Sequence, residues 1–306
     1  MKIGLALSGG TLRGAAHAGV LEVLTQAGIR PDVIAGSSAG SVVAGLYAHG
    51  LPPKTISRLA GGLQGRELID WTTSVGDLLW TAVRLPFYWL GLSKDLSKMI
   101  PIGFVRGNKF EEHLNRMLRL SPAHEPIPLL VTAVDLYSAE SVVYTDSSLV
   151  PPADSRYEPP GTVFLPITDR AAAIRASCSM PGVFAPRELD GRTLIDGAIR
   201  TTIPAELLFQ AGCDKVIAVD LLHAELSQVR VHTFFDVFLR SWDIMANDIT
   251  ALQLRDENIF YIRPAIQGVG WTSFERIEYC IEQGRQAARD ALPAIRSYLT
   301  KKPPRL

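Results

Sequence analysis

The chain has 306 residues, of which 47% are hydrophobic and 20% charged, a balance that excludes disorder over most of its length and suits one large α/β unit. Lys plus Arg and Asp plus Glu each number 31, so no global field draws in nucleic acid, and a nucleic-acid partner is not expected. The cysteines, Cys178, Cys213 and Cys280, are odd in number and lack metal-ligand spacing, which argues against a disulfide framework or a structural zinc and for a reducing compartment.

Ile3 to Leu7 reads as a strand. This apolar run is shorter than the roughly 7–15-residue core of a signal peptide, so the expected location is cytoplasmic, or peripheral at the inner face of a membrane. Ala15 to Ala27 follows with Val20, Leu21 and Leu24 on one helical face and Gly28 at its end. Val33 to Ala35 is a second strand and Ser41 to His49 a buried helix closed by Gly50. The uncharged stretch from Val33 to Pro53 is long enough to span a bilayer, but Gly36, Gly40, Gly45 and Gly50 and three serines make it too weakly apolar.

Asn108 to Leu120 has Phe110, Leu114 and Leu118 at helical spacing, with Asn108 as its expected cap. Further strands are expected at 129–134, 142–144, 216–221 and 259–262, and a long helix at 231–255. Another helix is expected over 272–298, interrupted near Pro293. The segment 146–166 holds five of the 20 prolines and reads as an extended surface loop. Short strands alternating with amphipathic helices predict a three-layer α/β/α fold on a mostly parallel sheet, with residues 1–306 as one domain.

Gly36-Ser37-Ser38-Ala39-Gly40 is a G-x-S-x-G between a strand and a helix, the context of a nucleophile elbow presenting Ser38; an ordinary glycine-rich turn is the alternative. Ser8-Gly9-Gly10-Thr11-Leu12-Arg13-Gly14 also joins strand to helix. It fails both nucleotide fingerprints, because Thr11 stands where G-x-G-x-x-G needs glycine and Ala15-Ala16 where a P-loop needs Lys and Ser/Thr. Its N–H groups suit an oxyanion, with Arg13 adding charge. Asp196-Gly197-Ala198 ends an apolar run and reads either as a carboxylate at the sheet rim or as a plain turn. No cofactor or metal set is visible, since the acidic residues are scattered.

Taken together, these three segments resemble the patatin-like phospholipase family, in the bacterial branch related to the neuropathy target esterase catalytic domain. Arg175-Ala176-Ser177 with Pro181-Gly182, and Ile203-Pro204 leading to Val216–Asp220, extend the likeness. The resemblance implies a Ser38–Asp196 dyad, an oxyanion hole from Gly9, Gly10, Thr11, Arg13 and Gly14, and Gly36 and Gly40 as elbow glycines. It implies a lipid or lysophospholipid substrate and carboxylic ester hydrolysis. Thr11 departs from the family's third consecutive glycine; if that position needs positive φ, a β-branched residue is strained there. A lipid-binding scaffold of the same fold with little or no turnover is therefore the alternative.

Two histidines compete with this assignment. His223 follows Asp196 in the Ser, Asp, His order of α/β-hydrolases, and His17 sits near the oxyanion loop, where it reads as a packed helical residue. Finally, Trp71 to Arg106 carries three of the five tryptophans (Trp71, Trp80, Trp89) beside Phe87 and Tyr88, with an excess of two positive charges. It reads as a lid or peripheral membrane contact, or else as core or an oligomer interface.

Overall fold

A computed structural model of the chain describes residues 1–72, 101–146, 149, 161–222, 233–253, 258–270 and 272–301. In chain order the first half contains β1 (Ile3–Leu7), a 3₁₀ turn (Thr11–Ala15), α1 (Ala16–Gln26), β2 (Val33–Ser37), α2 (Ala39–Ala48), α3 (Pro53–Gly61), α4 (Gly65–Leu68), β3 (Gly103–Val105), α5 (Asn108–Leu118), β4 (Leu129–Asp135) and β5 (Ser141–Thr145). The second contains β6 (Thr162–Pro166), α6 (Arg170–Ser177), β7 (Gly182–Phe184), β8 (Arg187–Leu189), β9 (Arg192–Asp196), α7 (Ala205–Gln210), β10 (Lys215–Val219), α8 (Phe234–Gln253), β11 (Ile259–Ile262) and α9 (Ile277–Thr300).

The main sheet runs β11-β10-β1-β2-β4-β5-β6, with β9 on β4 and β8 on β9. Strands β11 to β4 are parallel, whereas β5 and β9 each run antiparallel to β4. Alternation along the strands divides the core in two. Leu5, Leu7, Ile217 and Val219 face α1, α2 and α9, while Ala6, Val216 and Ala218 pack with Leu207 and Leu208 of α7 on the other side. This is the expected three-layer arrangement.

Helices α1 and α9 approach backbone to backbone. A Cβ on Gly19 would lie 2.0 Å from the Ile281 carbonyl oxygen, and one on Gly284 would lie 2.0 Å from that of Ala16. This packing, with Ala288 and Ile295 buried on either side of Pro293, carries α9 unbroken through the proline, where the sequence predicts an interruption. Two other expectations change. Residues 162–166 form β6, parallel to β5, instead of continuing a loop. The cap of α5 is supplied from a distance: Asp70 accepts from the N–H groups of Gly107, Asn108 and Lys109, placing a carboxylate at the positive end of the helix.

The same contacts pin the two ends of the tryptophan-rich stretch together. Trp71 bridges to Val105, Arg106 donates to the carbonyls of Asp70 and Thr72, and the Thr72 hydroxyl donates to Gly103. Residues 73–100, with Trp80 and Trp89, and His223 lie outside the described residues. Among those described, no helix is long and apolar enough to cross a membrane; Val33 to Pro53 folds as β2, α2 and the start of α3.

Candidate active site

One shared edge of β4 brings Ser38 and Asp196 together. Along that edge β2 pairs in parallel up to Ser37 opposite Thr132, and antiparallel β9 takes over at the next residue, with Asp196 opposite Ala133. The strand that ends at the serine and the strand that ends at the aspartate therefore meet end to end. Gly197 permits the crossing, since a Cβ there would lie 2.3 Å from the Thr132 carbonyl oxygen.

Ser38 has φ 50° and ψ −127°, a conformation that strains any side-chain-bearing residue by about 1–3 kcal/mol. Its neighbours compel it. A Cβ on Gly36 would fall 2.6 Å from the Gly40 backbone, and one on Gly40 would fall 2.3 Å from the Leu7 carbonyl oxygen, so only glycines allow the strand to turn this sharply into α2. The helix consequently begins at Ala39, two residues earlier than periodicity indicates, and Ser38 occupies its N-cap. The Ser38 N–H donates to the Ser177 hydroxyl at 2.9 Å, which fixes the elbow from α6.

Ser38 Oγ donates to Asp196 Oδ2 at 2.6 Å, while Asp196 Oδ1 accepts the Ala198 N–H at 2.8 Å. The carboxyl group is 2% exposed, and burial pushes its pKa up to about 7 even though both hydrogen bonds favour the ionised form. A carboxylate so placed holds a proton more readily than an exposed aspartate does.

The Ser8–Gly14 loop packs directly on this elbow. A Cβ on Gly14 would sit 2.5 Å from that of Ala39, and Gly9 lies against Ser38. The individual roles differ from the sequence expectation. Gly9 donates its N–H to the Thr202 carbonyl, whereas the N–H groups of Gly10 and Thr11, ahead of the first bond of the 3₁₀ turn from Arg13 to Gly10, have no acceptor among the described residues. Arg13 does not direct its charge at the reacting centre: Nε donates to the Gly10 carbonyl at 3.3 Å and Nη2 pairs with Asp243 at 3.0 Å. Thr11 does adopt positive φ, at 52°, and its hydroxyl donates to the Gly10 carbonyl at 2.7 Å. His17 is wholly buried, with Nε2 bonded to the Ser8 carbonyl, and burial lowers its pKa to about 4; it is the packed helical histidine expected.

Ser38, Asp196 and Thr11 open onto a cavity of about 210 Å³ whose other walls, including Val42, Leu63, Phe110, Met180, Phe184 and Phe274, are almost entirely apolar. Cys178 also lines it, and burial and the neighbouring Asp196 push its thiol up to about 12, which favours the protonated form.

A family model for patatin-like phospholipases matches residues 5–209, which include the loop, the elbow and the aspartate. The chain belongs to the patatin-like phospholipase family. An NTE family protein of Mycobacterium tuberculosis is 32% identical over 230 residues, covering 75% of this chain and 51% of the relative. The chain thus spans about half the length of that mycobacterial protein. A lysophospholipase of Mycosarcoma maydis is 23% identical over a stretch covering 95% of this chain and 15% of the relative. The crystal structure of VipD from Legionella pneumophila shares the fold, with a TM-score of 0.50 and 16% identity, covering 96% of this chain and 67% of that one.

Within this patatin-like domain, structure adds residues whose roles composition and spacing did not reveal. Arg175 is 1% exposed and donates to the carbonyls of Arg106, Gly107 and Ala185 and to the Ser179 hydroxyl. Burial lowers its pKa to about 10, leaving it charged. Since the Ser179 carbonyl accepts the Asp196 N–H, one guanidinium braces the aspartate and the base of the 71–106 stretch together. Ser177, two residues along, braces the serine. Among the described residues no group of three His, Cys, Asp or Glu could hold a metal ion.

Proposed function

We propose that the chain is a serine lipid acyl hydrolase, a phospholipase A or lysophospholipase-type esterase, in which Ser38 and Asp196 form the catalytic dyad. The observation that carries this reading is the 2.6 Å Ser38–Asp196 hydrogen bond at the mouth of an apolar cavity. The acyl chain enters the cavity, where each buried methylene contributes about 0.8 kcal/mol to binding. Ser38 Oγ attacks the ester carbonyl carbon as Asp196 takes its proton. The N–H groups of Gly10 and Thr11 receive the oxyanion, assisted by the N-terminus of α2. Collapse breaks the bond to the alkoxy oxygen, which leaves as the alcohol with the proton from Asp196. Water then attacks the acyl-enzyme, giving its proton to Asp196, and the fatty acid departs as that proton returns to Ser38.

The neighbouring surface supports work at a lipid interface. Trp71, Ile102 and Phe104 are large apolar residues exposed around the pinned base of the 71–106 stretch, where rings and branched chains suit a headgroup boundary. The scaffold reading has one observation in its favour, the strained Thr11, whose hydroxyl makes the bond to the Gly10 carbonyl described above. Fatty-acid release from phospholipid and lysophospholipid vesicles, with Ser38→Ala as control, tests the proposal. Release by the wild type alone supports it; equal release by both proteins, or none, rejects it.

A further inference from the structure

We infer that Asp243, on α8, is a positioning residue for the oxyanion loop, acting through Arg13 on the peptide between Gly10 and Thr11. The inference rests on the proposed role of that peptide as an oxyanion donor. Asp243 lies beyond the residues matched by the family model and carries no motif, so only the structure brings it to the site.

The Gly10 carbonyl accepts from the Arg13 N–H at 3.1 Å, from Arg13 Nε at 3.3 Å and from the Thr11 hydroxyl at 2.7 Å. In a trans peptide the carbonyl and the following N–H point in opposite directions. Whatever holds the Gly10 oxygen therefore aims the Thr11 N–H the other way. The guanidinium is planar, with its donors in one rigid fork. Seizing Nη2 fixes the plane of the whole group, so the 3.0 Å bond to Asp243 Oδ1 determines whether Nε can reach the Gly10 oxygen. Without that carboxylate Arg13 loses its ion-pair partner and is free to swing toward water.

Magnitudes separate this role from a structural one. The pair is only partly covered, with the Arg13 side chain 15% and the Asp243 side chain 33% exposed, and such pairs add little to global stability. Helix α8 is docked independently through buried Ala246 and Thr250. Removing the carboxylate should therefore misalign one donor while leaving the fold standing. Two of the three bonds to the Gly10 oxygen survive, so the expected loss is about ten-fold, well short of the 10²–10³ that follows removal of an oxyanion donor.

The test compares wild type with Asp243→Asn, Asp243→Ala and Asp243→Glu on a soluble p-nitrophenyl ester, by Ser38 labelling with a fluorophosphonate, and by thermal melting. The kcat and the labelling rate should fall about ten-fold in the Ala variant and by less in the Asn variant, whose amide oxygen still accepts from Nη2, with KM little changed, the melting temperature within about 2 °C, and Glu restoring most of the rate. Amide exchange over residues 8–14 should quicken in the Ala variant. Unchanged kcat and labelling in both variants, or a rate loss that follows the melting temperature and is not rescued by Glu, would overturn it. A wild-type chain that is neither active nor labelled at Ser38 would instead reject the underlying acyl-hydrolase reading, and this inference with it.

Discussion

Replacing Asp196 by Asn should abolish ester hydrolysis and stabilise the protein above neutral pH. The carboxyl group is buried, and its pKa rises from the ordinary 3.8 to about 7 in the fold. Between those two values the folded chain keeps a proton that the unfolded chain has released, so the stability contributed by this site falls as pH rises from about 4 to about 7, then levels. Holding the ionised form costs on the order of 4 kcal/mol at pH 8. Asn is uncharged at every pH and occupies the same space, with some of the gain returned through weaker bonds to Ser38 and Ala198. The expected net effect is a melting temperature roughly 2–5 °C above wild type at pH 8, shrinking to nothing near pH 4. Melting curves of both proteins over pH 4–9 provide the assay, since all other titrating groups cancel in the difference. Parallel curves, or an Asn variant less stable than wild type at pH 8, would refute the argument that this carboxylate is held ionised against its environment.

The pH dependence of kcat/KM should follow the same group, rising with pH and half-maximal near pH 7; a profile set by His17 would instead be half-maximal near pH 4. Ser177→Ala leaves the Ser38 N–H without its acceptor and should cost about 1–3 kcal/mol of stability together with a loss of turnover, measured by urea unfolding and ester kinetics. Gly40→Ala drives a methyl group into the Leu7 carbonyl and should prevent folding or cost 3 kcal/mol or more, read as lost soluble yield or a lowered urea midpoint. Thr11→Val keeps the strained backbone and removes the hydroxyl bond, so it should be about 1 kcal/mol less stable than wild type; equal stability would show that the bond adds nothing.

The elbow was legible in the sequence as a G-x-S-x-G between strand and helix, although only part of its steric demand is local: Gly36 meets the backbone of Gly40 and Ser41, whereas Gly40 meets that of Leu7 on the neighbouring strand β1. The Ser8–Gly14 loop was legible in outline from its glycines between strand and helix, but its hydrogen-bond partners were not. Gly9 donates to Thr202 and Arg13 to Asp243, partners nearly 200 and 230 residues distant that local pattern cannot identify. The Asp-Gly pair alone read as a plain turn at least as well as a carboxylate at the sheet rim, and only the family resemblance paired Asp196 with Ser38; the hand-over from β2 to β9 on the edge of β4 is what brings the two side chains together. The other misreadings have similar origins. Asp70 caps α5 across 38 residues, β6 owes its strand form to pairing with β5, and α9 passes Pro293 because both of its halves are packed against the core.

The central claim is that Ser38 carries the acyl group between the two half-reactions. Acid quenching during turnover of a p-nitrophenyl ester, followed by mass spectrometry of the peptide containing Ser38, tests it most directly. The account predicts an added mass equal to the acyl group less one hydrogen on Ser38, present during turnover, gone when substrate is exhausted and absent from Ser38→Ala. Turnover with no adduct, or an adduct on another residue such as Cys178, would contradict it.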